Sequence, residues 1–74
     1  QNMGQKVYCV LWIYVKLTAD GFIHKDEVIK SLNISTMSFA RYIKCLRLFL
    51  NRYQPKMKLH YRRRENVYWL KKEA

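Results

Sequence analysis

Positively charged side chains have the clearest potential chemistry in this sequence. Three arginines are adjacent at positions 62–64, and Arg41, Lys44 and Arg47 recur at three-residue steps upstream of them. Adjacent arginines repel one another unless an anion lies between them, and Lys and Arg are the residues that neutralise nucleic-acid phosphates. We therefore expect both groups to bind phosphates rather than to form merely solvated faces.

The other reactive residue types form no catalytic or metal-binding pattern. Cys9, Cys45, His24 and His60 are scattered, without a C-x-x-C or H-x-x-x-H pair, so no zinc site is expected. The few carboxylates have no nucleophile pattern beside them, so we expect neither catalysis nor a cofactor. Two isolated thiols make no disulfide framework, and we expect both to be small core residues in a reducing compartment.

Length and charge limit the function further. The chain has 74 residues, enough for one domain with one small core, and 50% of them are hydrophobic. Its 15 Lys and Arg against 5 Asp and Glu give a formal net charge of +10. Residues 1–34 carry four bases and three acids, so residues 35–74 hold nearly all of the excess. This imbalance favours a polyanionic partner, nucleic acid first and an anionic membrane second.

Neither a signal peptide nor a membrane-spanning segment is predicted. The longest apolar run covers residues 8–15, far short of the roughly 20 residues that span a bilayer. We therefore expect a cytoplasmic protein without a membrane partner.

The spacing of apolar residues predicts the elements that position the cations. A first helix is predicted over about residues 5–18, because apolar residues recur at three- and four-residue steps. The run is also continuous enough for a buried strand, but its length favours a helix. After a short extended piece at residues 22–23, a second helix is predicted over about residues 25–32. Asn33 is expected to end it in a left-handed conformation.

A third helix is predicted over about residues 35–51, with Ser35 as its N-cap. Its buried stripe is expected to comprise Phe39, Ile43, Leu46 and Leu50. After Pro55, apolar and basic residues alternate, which predicts a β-hairpin over about residues 56–71 with its tip at residues 63–66.

This order of elements is that of a winged helix-turn-helix, an α+β fold with a three-helix core and a C-terminal β-hairpin called the wing. In such a fold the third helix enters the major groove of DNA, and the wing reaches the backbone or the minor groove. The predicted DNA-binding residues are Ser35, Thr36, Met37, Ser38, Ala40, Arg41, Lys44, Arg47, Arg62, Arg63 and Arg64. The short side chains are expected to contact base edges, and the basic ones to bind phosphates.

The stretch from Asp26 to Arg47 resembles the DNA-binding domain of bacterial regulators of the DeoR and biotin-repressor-like winged-helix group. In that group a helix of the type E-L-A-x-x-L leads through a G-V-S turn into T-I-x-R-D-I-x-x-L-R. The matching positions here are Glu27, Leu32, Ile34, Ser35, Phe39, Arg41, Ile43, Leu46 and Arg47. Asn33 stands where the group usually has Gly, and Tyr42 stands where it often has Asp.

The resemblance covers most of the chain. The N-terminal domains of Mga-type and antiterminator-like regulators are similar as well. It implies sequence-specific binding of double-stranded DNA by the N-terminal domain of a bacterial transcriptional regulator, at the nucleoid. It also implies an effector or oligomerisation domain beyond these residues. A replication or mobile-element initiator with the same fold is an alternative, and so is an RNA- or ribosome-associated basic protein.

The first helix has more apolar surface than its own domain needs. From Tyr8 to Val15 it is apolar on every side, although a three-helix domain covers only one side of such a helix. We therefore predict an interface through Tyr8, Trp12 and Ile13, with either a second copy of the chain or a missing effector domain. In the alternative arrangement, Trp12 packs beneath the C-terminal strand near Trp69. A protein-interaction module without affinity for DNA would use the same helix.

Overall fold

A computed structural model describes residues 3–73, which form three helices and three strands. In chain order these are α1 (Met3–Asp20), β1 (Phe22–His24), α2 (Lys25–Leu32), α3 (Thr36–Tyr53), β2 (Met57–Arg62) and β3 (Val67–Lys72). The strands form one antiparallel sheet in the order β1-β3-β2. The predicted α+β class is therefore confirmed, and the layout is compatible with a winged helix. No helix within residues 3–73 is long and apolar enough to cross a membrane.

The two long helices extend beyond their predicted ends. α1 is longer by two residues at each end, and it stops where Gly21 takes a φ of 86° and donates its N–H to the Leu17 carbonyl at 2.8 Å. α3 continues to Tyr53, because the next barrier to helical backbone is Pro55, which also restricts the residue before it. α2 has its predicted range, and the hairpin strands lie within one residue of theirs.

A tight turn joins α2 to α3, as the sequence predicts. Asn33 is left-handed, with φ 53° and ψ 51°. Its N–H donates to the Lys30 carbonyl at 3.2 Å, and the N–H of Ile34 donates to the Ile29 carbonyl at 3.1 Å. The last carbonyls of α2 are thus satisfied without a further helical turn, and the chain reverses directly into α3.

The hairpin is fastened to the rest of the fold through a third strand. β1 pairs with β3, so that Phe22 lies opposite Trp69, and β2 pairs with the other edge of β3, so that Leu59 lies opposite Leu70. β3 is therefore the central strand of the sheet. The residues predicted only as a short extended piece thus hold the hairpin in place.

The core lies between the helices and one face of the sheet. Its buried residues are Cys9, Ile13, Leu17, Ile23, Val28, Phe39, Tyr42, Ile43, Leu46, Leu50 and Leu59. All four residues of the predicted α3 stripe are among them. Tyr42 is buried as well, at 2% exposure, so a core aromatic residue occupies the position where the DeoR-like pattern often has Asp.

α1 buries only one of its apolar stripes. The buried stripe is Cys9, Ile13 and Leu17, at four-residue steps. Val7, Leu11 and Val15 lie on the opposite side and are all more than half exposed. Ile13 was predicted as an interface residue, and that prediction is wrong because Ile13 is only 1% exposed.

The two cysteines have different surroundings. Cys9 is buried in the core, and burial raises the pKa of its thiol. Cys45 is only half-buried, because it lines a hollow between α1 and α3. The prediction that both are core residues is therefore correct for Cys9 alone.

Candidate nucleic-acid interface

α3 and the hairpin lie side by side, and α3 contacts the hairpin near its tip through Phe39 and farther from the tip through Arg47. Near the start of α3, the Phe39 ring lies 5.5 Å from the Tyr68 ring, close to the hairpin tip. In the middle of α3, the Arg47 guanidinium donates to the Leu59 carbonyl of β2 at 2.5 Å. A short turn at residues 54–56 then leads from the end of α3 into β2. The hairpin tip and the first half of α3 therefore lie toward one end of the molecule.

The first turn of α3 combines a satisfied cap with exposed side chains. Oγ of Ser35 accepts a hydrogen bond from the Ser38 N–H at 3.0 Å, so this predicted DNA-binding residue is already engaged as the N-cap. Ser38 is half-buried, whereas Thr36, Met37 and Ala40 are exposed, Met37 by 74%. Methyl and thioether groups in these positions can contact thymine methyl groups, and helix N-terminal amides can bind a phosphate.

The basic residues of α3 differ in how they are held. Arg41 and Lys44 are exposed, and neither has a carboxylate within ion-pair distance in the part of the chain that the structure describes. Arg47 is also exposed, but one of its N–H groups is bonded to the Leu59 carbonyl. A guanidinium has five N–H donors. Arg47 therefore ties α3 to β2 and still has donors for a ligand.

The hairpin tip is held in one conformation by Asn66. Asn66 is left-handed, with φ 55°, and its Oδ1 accepts a hydrogen bond from the Tyr61 hydroxyl at 2.7 Å. The Tyr61 ring stacks on Tyr68, with ring centroids 4.4 Å apart. The Asn66 carbonyl also accepts a hydrogen bond from the Lys25 N–H at 2.8 Å, which fastens the tip to the first residue of α2. The side chains of the tip therefore project from an anchored turn.

The three arginines at the tip have different partners. Arg62 lies 3.8 Å from the Glu65 carboxylate and 5.6 Å from the centroid of the Trp69 ring. Arg63 and Arg64 are exposed, and no carboxylate of residues 3–73 lies within ion-pair distance of either. Their mutual repulsion is relieved when a phosphate lies between them. Arg63 and Arg64 are thus better placed than Arg62 to bind an anion.

Tyr68 joins the two parts of this end of the molecule. Its ring contacts Phe39 of α3 on one side and Tyr61 of β2 on the other. Burial, and to a lesser extent Tyr61, raise the pKa of the Tyr68 hydroxyl, and the Arg47 guanidinium opposes this increase. The hydroxyl therefore stays neutral over the physiological pH range.

The residues that anchor the tip are not predicted by the sequence pattern. Tyr61 and Tyr68 were recognised only as strand residues, and Asn66 only as part of a turn. One signal for Asn66 was present, because Asn tolerates positive φ better than other residues with a β-carbon. The bond between Tyr61 and Asn66 has no comparable signal, since it depends on the register of the hairpin.

The predicted interface on α1 is only partly exposed. Tyr8 is 64% exposed, as an interface residue should be. Trp12 is half-buried and packs against the core, with the Lys16 ammonium 5.8 Å from its ring centroid. Ile13 is buried, so of the three predicted residues only Tyr8 offers an open surface.

A groove of about 390 Å³ between α1, α2 and β1 contains charged residues that are paired with one another. Lys16 Nζ lies 3.2 Å from an Asp20 oxygen, and His24 Nδ1 lies 3.8 Å from a Glu27 oxygen. Among the described residues, no three His, Cys, Asp or Glu side chains lie close enough to hold a metal ion. Lys16 of this groove therefore has a carboxylate partner, in contrast to Arg63 and Arg64 at the hairpin tip.

Comparisons with protein-family models, with curated proteins and with solved structures find no match to this chain. Its function is therefore inferred from the arrangement of its own residues.

Proposed function

We propose that this chain is a winged helix-turn-helix domain that binds double-stranded DNA and catalyses no reaction. One observation carries the proposal: the first half of α3 and the hairpin tip lie toward one end of the molecule and expose cations that have no carboxylate partner among the described residues. These cations are Arg41, Lys44, Arg63 and Arg64. We refer to them, together with Thr36, Met37 and Ala40, as the basic end.

The first half of α3 enters the major groove. An α-helix with its side chains is about 10–12 Å across, and the major groove is about 12 Å wide. Arg41 and Lys44 neutralise phosphates at the edge of the groove, while Thr36, Met37 and Ala40 face the base edges. Because these three side chains are short or uncharged, sequence is read mainly through van der Waals contact, in particular with thymine methyl groups.

The hairpin acts as the wing and contacts DNA beside the groove that α3 occupies. Arg63 and Arg64 bind the neighbouring backbone or the minor groove. The hydrogen bonds of Asn66 to Tyr61 and Lys25 fix the tip relative to the helices. A contact surface that is already ordered loses less conformational freedom on binding, which favours affinity.

The biological setting follows from the resemblance. Residues 26–47 resemble the DNA-binding domains of DeoR and biotin-repressor-like regulators, which supports a role in bacterial transcription regulation. An initiator of replication or of mobile-element transfer would use the same basic end. Selection of bound sequences from a random duplex library gives the binding site, and its position at a promoter or at a replication origin distinguishes the two roles.

The proposal is tested by the fluorescence anisotropy of labelled duplex DNA at several salt concentrations. If about five phosphates are neutralised, log K should fall against log salt with a slope of about −4 to −5. Duplex RNA is the matched competitor, because its deep and narrow major groove excludes a helix. A slope shallower than about −2, or tighter binding to duplex RNA than to DNA, contradicts the proposal.

A further inference from the structure

Large apolar side chains are exposed along one side of α1 and the second half of α3. They are Val7, Tyr8, Leu11 and Val15 of α1, and Leu48, Phe49 and Tyr53 of α3. We refer to these seven residues as the apolar face. Each is between 44% and 67% exposed. Monomeric proteins rarely leave an apolar patch of this size uncovered, so the face is expected to bind a partner.

Contacts between the two helices connect Phe49 and Tyr53 of α3 to α1. The Tyr14 ring of α1 packs edge to face against the Phe49 ring of α3, with ring centroids 6.3 Å apart. The Phe49 and Tyr53 ring centroids are 5.3 Å apart. Closer to the start of α1, a hollow of about 300 Å³ opens between α1 and Cys45 of α3. The face is therefore a strip with a depression that can receive a side chain.

We propose that a second copy of this chain covers the apolar face, with the two α1 helices packed antiparallel. Leu11 lies midway between Val7 and Val15, four residues from each. A two-fold axis beside Leu11 places Val7 of each copy opposite Val15 of the other. The stripe formed by Val7, Leu11 and Val15 is therefore complementary to itself. Gly4 and Thr18, at the two ends of this stripe, are small and allow the backbones to approach closely.

The Thr18 hydroxyl keeps its hydrogen-bond partner when this stripe is buried. Its Oγ1 already donates to the Val15 carbonyl at 3.0 Å. An unsatisfied buried donor would weaken an interface, and here that cost is absent.

The apolar face is large enough for a stable dimer. Aromatic side chains have about 150–250 Å² of surface and aliphatic ones somewhat less, so seven side chains that are half exposed offer on the order of 700 Å². A standard protein interface buries about 800 Å² on each partner. The face therefore matches one full interface rather than a marginal contact.

Like charge opposes self-association through this face, and salt screens that opposition. Two copies, each with a net charge of +10, repel one another, and two cations lie beside the face: Lys6 lines the hollow, and Arg52 lies 5.9 Å from the centroid of the Tyr53 ring. The only charged residues of α1 are Lys6, Lys16 and Asp20, and the last two form an ion pair at 3.2 Å. At physiological salt, repulsion beyond about 8 Å is screened. The dimer should therefore tighten as salt is added, whereas binding to DNA should weaken.

The test is sedimentation velocity of the DNA-free chain at increasing concentration, with Leu11→Lys compared to Phe22→Lys. Leu11→Lys places two like charges across the two-fold axis and should raise the dissociation constant of the dimer by about 30-fold or more. Phe22 is 46% exposed on β1, outside the apolar face, so Phe22→Lys adds the same charge and should leave the dimer intact. Far-UV circular dichroism confirms that both variants are folded.

Cross-linking tests the antiparallel geometry. In a Cys45→Ala background, Leu11→Cys should form a disulfide-linked dimer under mild oxidation much faster than Met37→Cys, which is at an exposed position on the basic end. A wild-type chain that is monomeric at every concentration overturns the proposal and assigns the face to a different protein. A dimer that survives Leu11→Lys overturns the contact through α1. DNA binding is measured separately, so these failures do not affect the proposed function.

Discussion

The two halves of α3 differ in their exposed side chains although they belong to one continuous helix. The first half exposes Arg41 and Lys44, and the second half exposes three large apolar residues, Leu48, Phe49 and Tyr53, beside Arg47 and Arg52. Both halves bury one stripe of residues against the same core. The buried positions therefore determine that the helix forms and where it lies, while the exposed positions are free to differ in chemistry.

The two halves of α3 also pack beside different parts of the molecule. The first half lies beside the hairpin tip, where hydrogen bonds of Asn66 hold the backbone in place. The second half lies beside α1, where the contact is between the Tyr14 and Phe49 rings. An ordered polar surface suits a charged ligand with fixed geometry, and an apolar strip suits another protein surface.

The largest expected effect compares two phenylalanines, one in each half. Phe39 is 1% exposed, so Phe39→Ala should lower the free energy of unfolding by about 3–5 kcal/mol, measured by urea denaturation of the dilute chain. Phe49 is 44% exposed, and Phe49→Ala should cost about 1 kcal/mol or less under the same conditions. Equal losses would mean that the second half is as essential to the monomer as the first.

The next effect concerns affinity for DNA. Arg41→Ala and Lys44→Ala should each weaken binding to duplex DNA by about tenfold and reduce the salt slope by about one, because each removes a phosphate contact. Arg52 is an exposed cation in the second half and serves as the matched control. Arg52→Ala should change the affinity by less than about twofold. A similar loss at all three positions would remove the distinction between the halves.

A smaller effect is expected at the start of the first half. Ser35→Ala removes the hydrogen bond to the Ser38 N–H and should lower the free energy of unfolding by about 1 kcal/mol. Ser31→Ala in α2 is the control, because Ser31 is exposed inside a helix and Ala favours helix there. If Ser35→Ala has no effect on stability but weakens DNA binding, Ser35 contacts DNA directly rather than as a cap.

The smallest effect is a dependence on alkaline pH through Tyr68. Folding raises the pKa of this hydroxyl above its ordinary value of 10.0, so the folded state opposes loss of the proton. Its contribution to stability is therefore complete below pH 10.0 and is lost as the pH rises through the raised value. Tyr68→Phe should show a shallower decrease in the free energy of unfolding above this pH than wild type does. Identical profiles would mean that Tyr68 is not responsible for the loss of stability at alkaline pH.

The sequence predicted the features that depend on near neighbours. The four-residue and three-residue steps of Phe39, Ile43 and Leu46 predicted the buried side of α3, and Asn33 predicted the left-handed turn before it. Ser35 was recognised as a cap because Ser at this position commonly accepts a helix N–H. Each of these features is determined within a few residues along the chain.

The features that the sequence did not predict depend on residues far apart in the chain. α1 has apolar residues on every side, so periodicity could not distinguish the buried Ile13 from the exposed Leu11. The packing of α3 and the sheet against one side of α1 determines which of these two residues is buried. The bonds that hold the tip, from Tyr61 and Lys25 to Asn66, likewise arise only when the hairpin register and the position of α2 are set.

The central claim is that the basic end binds duplex DNA, and its most direct test compares two ends of the hairpin. Arg63→Ala combined with Arg64→Ala removes two charges from the tip, and Lys71→Ala combined with Lys72→Ala removes two charges beside the start of β2. Duplex affinity, measured by anisotropy at one salt concentration, should fall by about tenfold to a hundredfold for the first pair, on specific and random sequences alike. The second pair should change it by less than about threefold. Equal losses for the two pairs would contradict the account, because binding would then follow net charge rather than the basic end.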